Sequence, residues 1–262
     1  MAGFSVERID ELVLHLGAPL SDYYVFSPCI WDENGQYRAL VRAPGPQQDD
    51  RDGCEDPTIA SRDGVYHVYY TGWNQATREG NLLLAAGRDI HNLQKRGPVF
   101  SDISRFRNPK EATIVCMPDG TWRLFFEFAE ENKSKIGVAS APEIYGPWTF
   151  AAPPFDARPE TWDCWHLSTG PVSTADPLRP VMFYNGSDRD ARWGIGWIEF
   201  DSCFKEVRAR GDDPIITPPA RPQRTDFTEI AFANSALDER GHIGLYYSIA
   251  DRIMRRALLK RT

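Results

Sequence analysis

The stretch Cys54-Glu55-Asp56-Pro57-Thr58-Ile59, followed by Asp63-Gly64 and Val65-Tyr66-His67-Val68-Tyr69-Tyr70-Thr71, sets the pattern of the whole chain. A short strand starting in polar residues meets a Gly-containing turn and then a second, largely apolar strand. The pattern recurs at Ser27-Pro28-Cys29-Ile30 with Asn34-Gly35, at Lys110-Glu111-Ala112-Thr113-Ile114 with Asp119-Gly120, at Ser168-Thr169-Gly170-Pro171-Val172 with Asp176-Pro177, and at Glu229-Ile230-Ala231-Phe232 with Arg240-Gly241. Five copies spaced by roughly 40–60 residues predict an all-β, five-bladed β-propeller, because a repeat of this size buries its faces only by stacking on its neighbours. In that architecture the first strand of each blade lines a central channel. Asp56, Glu111 and Glu229 then converge on one axial pocket, where two facing carboxyl groups can perform acid–base cleavage of a glycosidic bond. The plainer alternative is that each acid caps a turn or meets a nearby arginine.

Composition sets the outer limits. The 262 residues, 42% hydrophobic and 26% charged, suffice for one sizeable core, so a single domain over residues 1–262 is the simplest reading. A net charge of −7 argues against a nucleic-acid or anionic-membrane partner. The basic run Arg252 to Arg261 reads as a solvated last strand. No apolar run reaches the roughly 18–20 residues a membrane span requires, and no leader pattern opens the chain, which leads to the expectation of a cytoplasmic protein. Cys29, Cys54, Cys116, Cys164 and Cys203 are odd in number and never closely paired, so they suggest neither a disulfide framework nor a thiolate zinc site, and most read as small buried side chains. No metal or cofactor is expected. Val6 to Leu16 alone carries apolar residues at helical spacing.

Glu55-Asp56-Pro57, Tyr69-Tyr70-Thr71, Asp213-Pro214-Ile215 and Tyr246-Tyr247-Ser248-Ile249-Ala250-Asp251, in this order, resemble glycoside hydrolase family 130, five-bladed propellers comprising β-mannoside phosphorylases and related hydrolases. The resemblance spans about Ser27 to Asp251. It implies that Asp56 gives a proton to the glycosidic oxygen, that Asp251 holds sugar hydroxyls, and that Ser27 and Arg42 contact the same ring. Where phosphorylases of the family carry Arg, His-Arg and Tyr-His-Gly, this chain has Thr58, Phe126-Glu127 and Tyr184-Asn185-Gly186. Lys110 is the one basic residue left at the matched strand start. A phosphate nucleophile needs several cationic or N–H donors, so these departures point to water, with Glu111 or Glu229 as its base. Trp73, Trp162 and Trp165 are candidate stacking platforms, each with inter-blade packing as its alternative. His166 and Asn185 are further candidate sugar contacts.

The expected function is therefore an inverting glycoside hydrolase acting on a β-linked, mannose-like unit, with a small-molecule carbohydrate as its partner. A phosphorylase with an atypical phosphate site around Lys110 is the first alternative. The second is a carbohydrate-binding or biosynthetic protein that reuses the pocket. The identity and linkage of the sugar and the oligomeric state are not legible in the sequence.

Overall fold

A computed structural model describes residues 3–14, 27–40, 53–102, 104–220 and 229–262. All of its regular elements are strands. In chain order they are β1 (Phe4–Leu12), the hairpin β2 (Cys29–Glu33) and β3 (Gln36–Leu40), and the meander β4 (Cys54–Arg62), β5 (Val65–Asn74), β6 (Glu79–Gly87) and β7 (Gln94–Pro98). A second meander holds β8 (Arg107–Cys116), β9 (Trp122–Glu130), β10 (Lys133–Ala141) and β11 (Thr149–Ala151). Short strands follow: β12 (His166–Ser168), β13 (Val172–Ser173), β14 (Val181–Met182), β15 (Asn185–Ser187), β16 (Trp193–Ile195), β17 (Ile198–Phe200) and β18 (Val207–Arg210). The last three are β19 (Ala231–Glu239), β20 (His242–Ile249) and β21 (Ile253–Arg261).

Local chemistry explains the hairpins. Asn34-Gly35, Asp63-Gly64 and Arg240-Gly241 all have positive φ at both residues, the backbone that a two-residue turn between twisted strands requires. Between β12 and β18 the predicted single repeat is divided into the sheets β12-β15-β16 and β13-β14-β17-β18. Backbone bonds bridge the break, with Phe183 N–H donating to Pro171 O and Gly196 N–H to Tyr184 O, both at 2.9 Å. Gly170 lies so close to the Phe183 carbonyl that a Cβ there would collide with it.

The cores lie between sheets. Tyr69, Leu82 and Leu84 of the first meander pack on Leu124 and Phe126 of the second. Phe125 and Val138 pack on Leu167, Tyr184, Ile198 and Phe200. Phe183, Ile195 and Trp197 meet Leu245, Tyr247 and Leu259. The two long meanders and the sheets that follow them thus bury faces against their sequence neighbours, as β-propeller blades do.

Of the segment Val6 to Leu16, which carries apolar residues at helical spacing, Val6 to Leu12 lie in β1, paired antiparallel with β21 from Phe4↔Arg261 to Leu12↔Met254. A bulge between Val6 and Arg8 disturbs the two-residue alternation and leaves apolar spacing that also matches a helix. The basic run forms the expected last strand. Its charges meet the acids of β1, with Arg256 3.3 Å from Asp10 and Lys260 3.9 Å from Glu7. The cysteines depart from expectation, since Cys116 is exposed and only Cys29 is fully buried.

Candidate active site

Strands β2, β4, β8 and β19 and the segment 169–174 line one cavity of about 410 Å³. At its lining, three strands carry the same irregularity. The β4–β5 register jumps between Glu55 and Thr58, the β8–β9 register between Lys110 and Thr113, and the β19–β20 register between Ala233 and Ser235. The residues set free by these bulges are Asp56, Glu111 and Asn234, and bulges re-aim side chains at such places. Asp56 and Glu111 hold left-handed backbone at φ 50° and 51°, as does Ser27 at φ 50°. Non-glycine residues adopt that conformation at a cost, so three of them at the lining of one cavity mark a built site.

Hydroxyls from neighbouring sheets hold this backbone. Glu111 N–H donates to Thr71 Oγ1 at 3.3 Å, and Ser27 N–H to Ser248 Oγ at 3.0 Å. Thr71 and Ser248 close the matching Tyr-Tyr-Thr and Tyr-Tyr-Ser motifs. The equivalent residue after Phe183-Tyr184 is Asn185, whose Oδ1 accepts from Ala233 N–H at 2.7 Å. Its Nδ2 donates to the carbonyls of Thr169 and Ala233. Asn185 is fully buried with its amide spent on backbone, so it is a strap between sheets rather than the sugar contact expected.

Asp56 and Glu111 both line the cavity, and burial together with the Asp56 charge holds the Glu111 carboxyl well above the usual carboxylate range. Glu111 is therefore held toward its protonated form. Among the described residues, Asp56 and Glu111 are the only charged groups lining the cavity.

Behind them stands an ion pair that sequence reasoning did not connect. Lys110 Nζ lies 3.4 Å from Glu127 Oε1, and Glu127, only 3% exposed, also accepts from Ser134 Oγ at 2.6 Å. The negative charge of Glu127 does most to raise the Lys110 pKa, against its burial. Ser134 N–H donates to His166 Nδ1 at 2.9 Å, which fixes the proton of the neutral ring on Nε2. His166 stacks on Trp193 with rings 5.6 Å apart and 8° from parallel, and burial lowers its pKa. Polar contacts thus link His166 through Ser134 and Glu127 to Lys110.

Other expected residues lie elsewhere. Glu229 does not join this cluster; its carboxylate is 3.4 Å from Arg192, while its carbonyl accepts from Trp193 N–H. The bulge identifies Asn234 as the counterpart of Asp56, five residues beyond the match made from apolar alternation. Asn234 lines the cavity and accepts from Ser248 Oγ at 3.1 Å. Asp251 stands in left-handed backbone between β20 and β21 and is not among the residues that line the cavity. Trp73 is half-buried outside the cavity, its indole bonded to Gln75 at 3.1 Å. Trp162 stacks on Tyr184, and Trp165 carries Lys133 and Arg189 over its ring at 4.5 and 4.8 Å. Arg42 lies outside the described residues.

No family model matches the chain. Its sequence is 22% identical over 217 residues to a 1,2-β-oligomannan phosphorylase of Thermoanaerobacter sp. (strain X514), covering 79% of this chain and 68% of that protein. It is also 22% identical over 211 residues to a β-1,2-mannobiose phosphorylase of Listeria innocua, covering 77% of this chain and 56% of that one. The chain thus spans little more than half the length of this second relative. Among solved structures, the Listeria innocua β-1,2-mannobiose phosphorylase in complex with β-1,2-mannobiose aligns over 97% of this chain and 91% of its own, with a TM-score of 0.72 and 16% identity. A structure described under the GH130 family of mannoside phosphorylases, which contains hydrolases that target β-1,2-mannosidic linkages in Candida mannan, aligns over 90% and 84%, with a TM-score of 0.71 and 19% identity. The fold is that of a β-propeller. In sequence and in fold the chain is similar to glycoside hydrolase family 130.

Proposed function

We propose that this protein is an enzyme that cleaves β-mannosidic linkages at the axial cavity of a single five-bladed propeller. The blades are β2–β3, β4–β7, β8–β11, β12–β18, and β19–β21 completed by β1. The observation that carries the reading is the placement of Asp56 and Glu111, both in left-handed backbone, at the lining of one cavity, where burial and the Asp56 charge hold the Glu111 carboxyl above the usual range. A proton held on such a carboxyl is available to a departing sugar oxygen at neutral pH. Asp56 delivers it, as the family resemblance implies, and Glu111 restores it.

The names of both sequence relatives favour phosphorolysis over the hydrolysis expected from the sequence, with Lys110 beside the phosphate. Hydrolysis is the second reading, and one observation favours it: Glu127 already neutralises Lys110, and no Lys or Arg lines the cavity among the described residues. The deciding experiment incubates the protein with β-1,2-mannobiose, first without phosphate and then with millimolar phosphate. Mannose 1-phosphate formed only when phosphate is supplied supports the first reading, and free mannose formed at the same rate in both supports the second. Failure to cleave this or any aryl β-mannoside would sink the proposal.

A further inference from the structure

The Glu111 carboxyl is carried by backbone that its own sheet does not hold. The β8–β9 ladder pairs Lys110 with Glu127 and then Thr113 with Phe125, so the two residues between them have no partner across it. A buried N–H or C=O without a ladder bond has to be paired elsewhere. For Glu111 both are, one from each neighbouring part of the chain. Its N–H donates to Thr71 Oγ1 on β5 at 3.3 Å, and its carbonyl accepts from Thr169 Oγ1 in the segment after β12.

The two threonines are themselves fixed. Thr71 is fully buried, and its methyl fills the space above Gly80, where a Cβ would come within 2.8 Å of it. That contact and the stiffness of a β-branched side chain keep Oγ1 facing the Glu111 N–H. The Thr169 carbonyl accepts from Asn185 Nδ2 at 2.7 Å, and the neighbouring Gly170 carbonyl accepts from Thr113 Oγ1 at 2.9 Å. β8 and this segment are thus joined at Glu111 and again at Thr113.

Pinning the peptide group on each side of one Cα fixes φ and ψ, and these set the direction of Cβ. Glu111 stands at φ 51°, a conformation that residues other than glycine keep only where their surroundings over-determine it. Loss of either hydroxyl lets this backbone relax and turns the carboxyl from its place at the cavity lining. Ser27 shows the same device, with φ 50° and an N–H that donates to Ser248 Oγ, the counterpart of Thr71 in the last sheet. We infer that Thr71 and Thr169 are positioning residues for the axial site, a hydroxyl acceptor and a hydroxyl donor that clamp Glu111 from both sides, and that turnover depends on Thr71 although it does not line the cavity. This role rests on the proposed cleavage at Asp56 and Glu111, so one readout follows turnover and a second needs none.

Thr71→Val keeps the shape and deletes the acceptor, whereas Thr71→Ser keeps the oxygen and deletes the methyl. With β-1,2-mannobiose, under whichever phosphate condition supports cleavage, Thr71→Val should lower kcat by about 10–10²-fold, the scale of a misplacement of roughly 1 Å, with KM within about threefold of wild type. Thr71→Ser should recover most of the loss. An unchanged kcat in Thr71→Val, or a Thr71→Ser no better than Thr71→Val, overturns the inference. The second readout is the Tm of each protein against its own Glu111→Gln counterpart from about pH 4 to pH 9, which isolates the Glu111 carboxyl while Asp56, Lys110 and Glu127, the charges acting on it, stay the same. Thr71→Val should displace this difference profile along the pH axis, and Thr71→Ser should bring it back. A profile that Thr71→Val leaves in place overturns the inference whatever the turnover. A displaced profile in a protein that cleaves no β-mannoside removes the proposed cleavage and keeps the clamp. If Thr71→Val does not fold, Thr169→Val and Thr169→Ser put the same two questions from the carbonyl side.

Discussion

The ion pair behind the carboxyls gives the sharpest quantitative expectation. At 3.4 Å, Lys110 and Glu127 attract each other by about 5 kcal/mol at an effective dielectric of about 20. Burial takes much of this back, because Glu127 is only 3% exposed and each buried ion costs several kcal/mol to desolvate. Glu127→Gln returns that desolvation cost and keeps a bond to Ser134, so its net loss should be about 2–3 kcal/mol, which for a chain of this size lowers Tm by about 4–12 °C. Lys110→Met is the harsher change, since it strands a buried carboxylate, and should cost about 3–5 kcal/mol. The double variant should be less destabilised than the sum, with a coupling of about 1.5–3 kcal/mol from urea unfolding of the four proteins. A coupling below about 0.5 kcal/mol, the range of solvent-exposed pairs, would show that water screens Lys110 and would remove the argument that it is already neutralised. The same variants report on chemistry. If Glu127 is what withholds Lys110 from an anion, Glu127→Gln should tighten phosphate binding or create phosphate dependence, and Lys110→Met should abolish it.

Three further outcomes follow from the site. Asp56→Asn should lower turnover of a mannobiose by about 10²–10⁴-fold, the usual worth of general acid assistance, with a smaller loss on an activated aryl mannoside; unchanged rates on both would remove Asp56 from the mechanism. Glu111 should make stability depend on pH: its folded pKa lies above the unfolded value of 4.5, so its contribution is complete below that value and is lost as pH rises through the folded pKa. Glu111→Gln abolishes this loss, and its Tm relative to wild type should climb from pH 4 toward pH 9; parallel profiles would contradict the assignment of the proton to Glu111. Asn185→Ala, which removes three buried bonds to Thr169 and Ala233, should cost about 3–5 kcal/mol, and a loss within error of zero in chemical unfolding would refute its role as a strap.

The strands, their turns and their repetition were legible in the sequence because they rest on local chemistry. Asn34-Gly35 and Asp63-Gly64 demand positive φ whatever surrounds them, and runs such as Val65 to Thr71 carry strand-forming residues in order. Repetition also placed Asp56 and Glu111 at the same point of their strands, and the structure brings both to the lining of one cavity. Tertiary structure decided the rest. Asn234 rather than Glu229 matches Asp56, because a bulge is a mismatch between two paired strands and leaves no mark on either alone. β1 became a strand because β21, some 240 residues away, offered it an edge, where eleven residues of spacing fit either period. Glu127 found Lys110 because β8 and β9 pair those two residues side by side across a register shift. Which acid holds the proton depends on burial and on neighbouring charge, and both exist only once the sheets have closed around the axis.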